Sequence, residues 1–158
     1  MTRAFISYSL ADKDRFVVSR LITELQSQQT QVITGQNFFS SSIDFTTQKN
    51  INTSNLFIGL ITDQSNTYMR VLEEWKYALE QSIPNILIVE DTLRLDPYYN
   101  DHNIVRFNRN DINGALRIVR QKIQIPPTIN TNNQDWLPWL LGGTAVLAFL
   151  SLLGQKSR

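Results

Sequence analysis

The side chains capable of chemistry are few in this sequence, and the missing types narrow the reactions available to it. It contains no cysteine and a single histidine, His102, which excludes disulfides, thiolate catalysis and cysteine metal sites and leaves no histidine cluster. We therefore predict no metal site. Among the carboxylates, Glu74 borders an apolar helical stripe directly before Trp75, so its side chain should emerge where that helix meets the rest of the domain.

Glu74 also has a structural interpretation. Arg70 lies four residues earlier, so the two side chains can form an ion pair on the helix surface, which contributes only a few tenths of a kcal/mol. On the residues alone, the surface pair and a functional carboxylate both stay open.

Glu74 is positioned by a predicted strand, helix and strand that span residues 56–90. Residues 56–61 and 86–89 are continuous apolar runs, typical of strands covered on both faces of a parallel sheet. Between them an apolar stripe recurs at three- and four-residue steps, which predicts a crossover helix through Tyr68, Val71, Leu72, Trp75, Leu79 and Ser82.

Weaker patterns extend this unit on both sides. Strands are predicted at 4–8, 31–34 and 104–107, and the last of these should form an edge. Apolar stripes predict three further helices, through Val17 to Leu25 with Asp14 on the exposed face, through Ile43 to Ile51, and through Ile112 to Ile123. The alternation predicts an α/β fold, a flavodoxin-like doubly wound parallel sheet of five strands in the order 2-1-3-4-5.

That strand order points to a site. Ligands of such sheets bind at the carboxyl ends of strands one and three, where the chain changes direction. Those ends are Tyr8 with Ser9, and Thr62 with Asp63. The helix that carries Glu74 follows the second end directly, so we expect Tyr8, Ser9, Thr62 and Glu74 to converge on one cleft.

Two aromatic residues, Phe38 and Phe39, lie in a polar loop between residues 35 and 55. They can serve as a local hydrophobic anchor or as a surface for a ligand or partner. Both interpretations stay open.

Several segments together resemble a Toll/interleukin receptor (TIR) domain. They are AFISYS at 4–9, SNLFIGLIT at 54–62, EWKYA at 74–78 and NILIV at 85–89. The resemblance covers roughly residues 2–125, and its most specific part is the order and spacing of these pieces. It implies a TIR-like domain over 1–125.

The resemblance also implies an activity. In the enzymatic branch of the family, the glutamate that matches Glu74 cleaves the nicotinamide–ribose bond of NAD. Tyr8 resembles the aromatic residue that lines the nucleotide pocket, and Phe38 or Phe39 would pack on the nucleotide. NAD is then a substrate, no cofactor is expected, and homo-oligomers would form through TIR–TIR contacts.

This chemistry suits a single carboxylate. Breaking the N-glycosidic bond builds positive charge on the ribose ring, which a nearby carboxylate stabilises. Nicotinamide departs from a pyridinium as a neutral molecule, so no general acid is required. The absence of a histidine cluster is compatible with the reaction.

The C-terminal part differs from the domain. A polar linker at 126–135 leads to an uncharged segment at 136–153, long enough for a single transmembrane helix with Trp136 and Trp139 at the interface. A short basic tail at 154–158 follows. A buried or amphipathic C-terminal helix is the alternative to a membrane helix.

The predicted topology contains a conflict. Lys156 and Arg158 would place the C-terminal end in the cytoplasm. Without a signal peptide and with NAD as substrate, the TIR-like domain is expected in the cytoplasm too. Fifteen basic and fourteen acidic residues give a net charge of +1, so no nucleic-acid partner is expected.

The resemblance, together with the C-terminal segment, therefore implies a membrane-tethered TIR domain that cleaves NAD, as a hydrolase or as a producer of an ADP-ribose-type signal, in antiphage immune defence. Two alternatives remain from other classes. One is a non-catalytic scaffold that assembles signalling complexes. The other is an oligomerising effector that disrupts membranes through the segment 136–153.

Overall fold

The computed structural model describes residues 2–8, 14–35, 42–62, 68–95 and 103–124. Within these ranges the elements are β1 (Thr2–Ser7), α1 (Arg15–Ser27), β2 (Thr30–Thr34), α2 (Phe45–Asn52), β3 (Leu56–Ile61), α3 (Tyr68–Glu80), β4 (Asn85–Glu90), β5 (Ile104–Phe107) and α4 (Ile112–Gln124). The five predicted strands and the four helices predicted between residues 1 and 125 are present.

The described strands form one sheet in the order β2-β1-β3-β4-β5, and every neighbouring pair is parallel. The predicted five-stranded parallel α/β sheet is confirmed, with β5 at an edge. This order places the change of chain direction between β1 and β3. The architecture is consistent with the TIR-like fold that the resemblance implies.

Helices cover both faces of the sheet, which explains why the central strands are apolar without alternation. In β3, Ile58 and Leu60 face one layer of the core and Phe57 and Ile61 face the other. The helices α1 and α4 complete the first layer through Val18, Leu21, Leu116 and Val119. The helices α2 and α3 complete the second layer through Ile51, Val71, Leu72 and Trp75.

Gly59 lets α3 pack closely on the middle of β3. A Cβ atom at this position would lie 2.7 Å from Leu87 Cδ1 and 3.2 Å from Val71 Cγ1. Only a residue without a side chain fits that gap without a shift of its neighbours. The close approach sets the height of α3 above the sheet, and therefore the position of Glu74.

A buried hydrogen bond ties α3 to the start of β4. Trp75 Nε1 donates to Asn85 Oδ1 at 2.8 Å, and both residues are fully buried. The helix ends at Glu80, so Ser82, which the stripe included, lies in an exposed turn with φ of 55°.

The predicted tail is not part of the described structure. In the ranges described above, no helix is long and apolar enough to cross a membrane. The linker at 126–135, the predicted transmembrane segment at 136–153 and the basic tail at 154–158 lie outside those ranges.

Candidate active site

Two polar clusters lie at the carboxyl edge of the sheet, on opposite faces. The Glu74 cluster, on the face covered by α2 and α3, consists of Ser7, Arg70 and Glu74. The Arg109 cluster, on the face covered by α1 and α4, consists of Asp14, Thr62, Glu90 and Arg109.

In the Glu74 cluster, both carboxylate oxygens of Glu74 accept hydrogen bonds from protein donors. Arg70 Nη1 donates to Oε1 at 2.8 Å, and the Ser7 hydroxyl donates to Oε2. Glu74 is only 2% exposed and Arg70 only 7%. The i,i+4 pair therefore exists, but it is buried and does not lie on the helix surface as one of the two interpretations had it, because α3 turns both side chains toward the ends of β1 and β2.

Arg70 also fastens the cluster to the backbone of β1. Its Nη2 donates to the carbonyl oxygen of Tyr8 at 2.5 Å, next to the residue whose hydroxyl bonds Glu74. At the end of β2, Gly35 adjoins the guanidinium, since a Cβ atom there would lie 3.4 Å from Arg70 Nη1. The Glu74 cluster thus lies directly beyond the carboxyl ends of β1 and β2.

Burial raises the pKa of the Glu74 carboxyl above its ordinary value, because the charged form loses its hydration. The positive charge of Arg70 and the hydrogen bonds from Ser7 and Arg70 oppose this rise, while the negative charge of Asp44 adds to it. A desolvated and firmly oriented carboxylate is suited to stabilise positive charge that develops on a bound molecule. Such perturbed groups concentrate at functional sites.

The Arg109 cluster joins four parts of the chain. Arg109 Nε and Nη2 donate to the two carboxylate oxygens of Glu90 at 2.8 and 3.0 Å, and Nη2 also donates to Asp14 Oδ1 at 3.0 Å. The Thr62 hydroxyl donates to Asp14 Oδ2 at 2.6 Å. These bonds raise the pKa of Arg109, first through Glu90. The cluster ties the start of α1 to the ends of β3 and β4.

Asp14 lies inside this network, and its expected position on the exposed face of α1 was wrong. The residue is 1% exposed and precedes the first turn of the helix. The helical pattern alone places it outside. Its partners, Thr62 and Arg109, are 48 and 95 positions away in the sequence, so no local signal reveals them.

The structure places the remaining predicted site residues in different ways. Tyr8 is half-buried against the α1–α4 layer, and Arg70 links its carbonyl oxygen to the Glu74 cluster. Thr62 is engaged with Asp14 on the other face of the sheet from Glu74. Ser9, Phe38 and Phe39 lie outside the described residues.

Sequence reasoning missed Ser7 as a partner of Glu74. The available signal was its polarity at the last position of an apolar strand, on the same face as Phe5. Arg109 and Glu90 were also missed as site residues, because only the folded sheet brings the ends of β4 and β5 beside α1.

Other ligand-binding features do not coincide with these clusters. Within the described part of the chain, no group of three or more His, Cys, Asp or Glu side chains could hold a metal ion. A surface depression of about 400 Å³ lies between β5 and α4, lined by residues such as Arg106, Arg117 and Ile118. It contains no member of either cluster, and the chemistry of Glu74 makes that cluster the stronger candidate.

No protein-family model and no curated protein matches this sequence. Among solved structures, the chain is similar to a CMP N-glycosidase of Clostridium botulinum, with 17% identity, 75% of this chain and 99% of that chain covered, and a TM-score of 0.53. It is also similar to the TIR domains of the activated Roq1 resistosome, with 16% identity, coverages of 96% and 84%, and a TM-score of 0.48. The first similarity shows a shared fold, and the second is too distant to support an argument.

Proposed function

We propose that this protein hydrolyses the N-glycosidic bond of a nucleotide, with NAD as the substrate and Glu74 as the carboxylate that faces the ribose. The observation that carries the proposal is the burial of Glu74, at 2% exposure, beyond the carboxyl ends of β1 and β2. A buried ion pair is often no better for stability than an apolar replacement. An oriented, desolvated carboxylate is, however, what an oxocarbenium-like transition state requires.

The reaction balances with water as the second reactant. The bond between ribose C1′ and the pyridinium nitrogen breaks, its electron pair leaves with nicotinamide, and the pyridinium charge is neutralised. Positive charge develops on the ribose, where the carboxylate of Glu74 stabilises it. Water adds at C1′ and releases a proton, which yields ADP-ribose. Ser7 and Arg70 hold the carboxylate in place during these steps.

The donors around Glu74 favour NAD over a nucleotide with a neutral base. Cytosine leaving from CMP requires a proton, whereas nicotinamide leaves as a neutral molecule without one. The groups bonded to Glu74 are a hydroxyl and a guanidinium, and neither gives up a proton readily at neutral pH. The clostridial enzyme of the same fold is a CMP N-glycosidase, so CMP is the second substrate to test.

The test incubates the purified full chain with NAD or with CMP and resolves the products by chromatography. We expect nicotinamide together with ADP-ribose or a cyclic derivative of it. Cytosine from CMP with unchanged NAD would show that the substrate is wrong and the bond class is right. If both substrates stay intact under conditions where the protein is folded, the proposed function is wrong.

A matched pair of variants assigns the activity to the site. Glu74→Gln should remove it. Glu73→Gln changes the neighbouring residue of α3, whose carboxylate is 47% exposed and pairs with Lys76 at 2.9 Å, and it should leave activity unchanged. Equal loss in both variants would argue against a specific role for Glu74.

We propose further that the protein acts as a membrane-tethered homo-oligomer in antiphage defence, with the domain in the cytoplasm. The uncharged segment 136–153 supports the tether. Large apolar side chains exposed at the first turns of three helices support assembly, namely Phe16, Phe45 and Met69. Turnover per molecule should then rise with protein concentration, and a rate that stays constant at full activity down to high dilution would contradict assembly.

A further inference from the structure

Arg70 has more contacts than a simple ion-pair partner needs. One nitrogen of its guanidinium donates to Glu74, and another donates to the carbonyl oxygen of Tyr8. The backbone of β1 therefore fixes the direction from which the positive charge approaches the carboxylate. Gly35 leaves room for the guanidinium at the end of β2.

The groups that surround Glu74 differ in charge. From β1 it faces the hydroxyl of Ser7, with Tyr8 adjacent. From its own helix it faces the guanidinium of Arg70, and Asp44, just before α2, acts on it with a negative charge. In this set Arg70 supplies the positive charge that favours the ionised carboxylate, whereas burial and Asp44 favour the protonated one.

We propose that Arg70 is a positioning residue that keeps Glu74 ionised and aims its carboxylate, while the Tyr8 carbonyl oxygen anchors the guanidinium. The consequence for turnover rests on the proposed function. The consequence for the ionisation of Glu74 does not, because it concerns the folded cluster without any substrate.

The sign of the effect follows from the balance at Glu74. Burial already raises its pKa, and Arg70 is the first of the groups that oppose the rise. Removing the guanidinium therefore raises the pKa further, so a smaller fraction of the protein has an ionised Glu74 at any given pH. Because the proposed reaction needs the ionised form, the acid limb of the activity profile should move to higher pH.

The experiment follows the ionisation of Glu74 directly and its activity in parallel. The carboxyl carbon of Glu74 is titrated by NMR in the full chain with isotope-labelled glutamate, and its signal is assigned from its loss in Glu74→Gln. Arg70→Met removes the charge, and Arg70→Lys retains it. Lys76→Met is the matched control, since Lys76 pairs with the exposed Glu73 on the same helix.

We expect the midpoint of the Glu74 titration to rise by about one to two pH units in Arg70→Met. In Arg70→Lys the midpoint should lie close to that of the unmodified protein. Lys76→Met should leave it unchanged. The acid limb of NAD cleavage should follow the same pattern. An unchanged midpoint in Arg70→Met would overturn the proposal.

A second variant covers the case in which Arg70→Met does not fold. Arg70→Met/Glu74→Gln removes both buried charges, so it should fold if Arg70 serves Glu74. If the double variant also fails to fold, Arg70 is required for packing and the proposal is wrong. If the unmodified protein cleaves neither NAD nor CMP, the proposed function fails, while the NMR titration still decides the role of Arg70.

Discussion

The Glu74 cluster and the Arg109 cluster use the same chemical groups for different ends. Each contains a guanidinium, a hydroxyl and at least one buried carboxylate, and both lie at the carboxyl edge of the sheet. Arg109 is 27% exposed and divides its bonds between two carboxylates, whereas Arg70 is 7% exposed and faces one. Arg109 therefore links two carboxylates from different parts of the chain, whereas Arg70 supports a single carboxylate.

The two clusters differ in which ionisable group has a shifted pKa. In the Arg109 cluster the surrounding carboxylates raise the pKa of the arginine, which is charged at every relevant pH in any case. In the Glu74 cluster burial outweighs the compensating contacts and raises the pKa of the acid. Only the second shift concerns a group whose protonation state can change within the ordinary pH range, because arginine stays charged throughout it. Similar contacts therefore mark one cluster as structural and the other as a candidate for catalysis.

The largest expected loss of stability comes from breaking the Arg109 cluster. Arg109→Met leaves the buried carboxylates of Asp14 and Glu90 without their shared cation, and we expect the free energy of unfolding to fall by about 3–5 kcal/mol. Chemical denaturation measures the change. Arg117→Met, which removes an exposed arginine of α4, is the control and should have little effect. A loss of similar size in both variants would contradict the structural role of the cluster.

Glu74→Gln should be somewhat less destabilising. A partly exposed Glu74, as the sequence suggested, would tolerate this change, but the buried pair leaves Arg70 charged without its counter-ion. We expect a loss of about 3 kcal/mol, since the amide oxygen can still accept a hydrogen bond from Arg70. The double variant Glu74→Gln/Arg70→Met removes both charges, so it should recover part of the lost free energy of unfolding, which chemical denaturation measures. A double variant that loses more stability than the two single variants together would contradict this account.

Trp75→Phe tests the support of α3 without touching its carboxylate. The change removes the donor to Asn85 Oδ1, a fully buried acceptor, and should cost about 1–3 kcal/mol. Tyr77→Phe, on the same helix, removes an exposed hydrogen bond with Asn52 and should cost much less. Thermal unfolding of the two variants compares them. Equal melting temperatures would show that the Asn85 bond does not fasten the helix.

The smallest effect is expected at the pair formed by Arg120, which is half exposed, and Glu24. Hydrogen bonding to Arg120 lowers the pKa of Glu24 below its ordinary value of 4.5, so the pair stabilises the fold above that pH and loses this contribution on acidification. Arg120→Ala should reduce stability at neutral pH by less than Trp75→Phe, because both salt and solvent screen the pair. Chemical denaturation measures the stability of Arg120→Ala and of the unmodified protein at pH 7 and at pH 3. The difference between the two proteins should be larger at pH 7. The reverse order would contradict the sign of the shift.

The strands and helices could be predicted because periodicity is a local property, and their alternation then favoured one strand order. Continuous apolar runs in β3 and β4 and the stripe of α3 reflect burial on both faces of the sheet. The burial of Glu74 could not be predicted in the same way. A helical pattern gives the direction of a side chain around the axis. The depth at which α3 lies, however, depends on its packing against Gly59 of β3 and Leu87 of β4, which are distant from Glu74 in sequence.

The composition of the two clusters was hidden for the same reason. Ser7 and Glu74 are 67 positions apart, and Asp14 and Arg109 are 95 apart. The predicted cleft joined Thr62 to Glu74 because both follow carboxyl strand ends. It did not account for the alternation of β3, which turns Thr62 toward α1 and away from α3.

We propose that the two clusters divide catalysis and structure between them, and one comparison of variants tests this division most directly. The rate of nicotinamide release from NAD is measured per folded molecule for the unmodified full chain, Glu74→Gln and Arg109→Met, at a temperature where all three are folded. We expect Glu74→Gln to lose activity by a factor on the order of 10²–10³, while Arg109→Met keeps a rate close to that of the unmodified protein. A Glu74→Gln variant that releases nicotinamide at the unmodified rate would contradict the account.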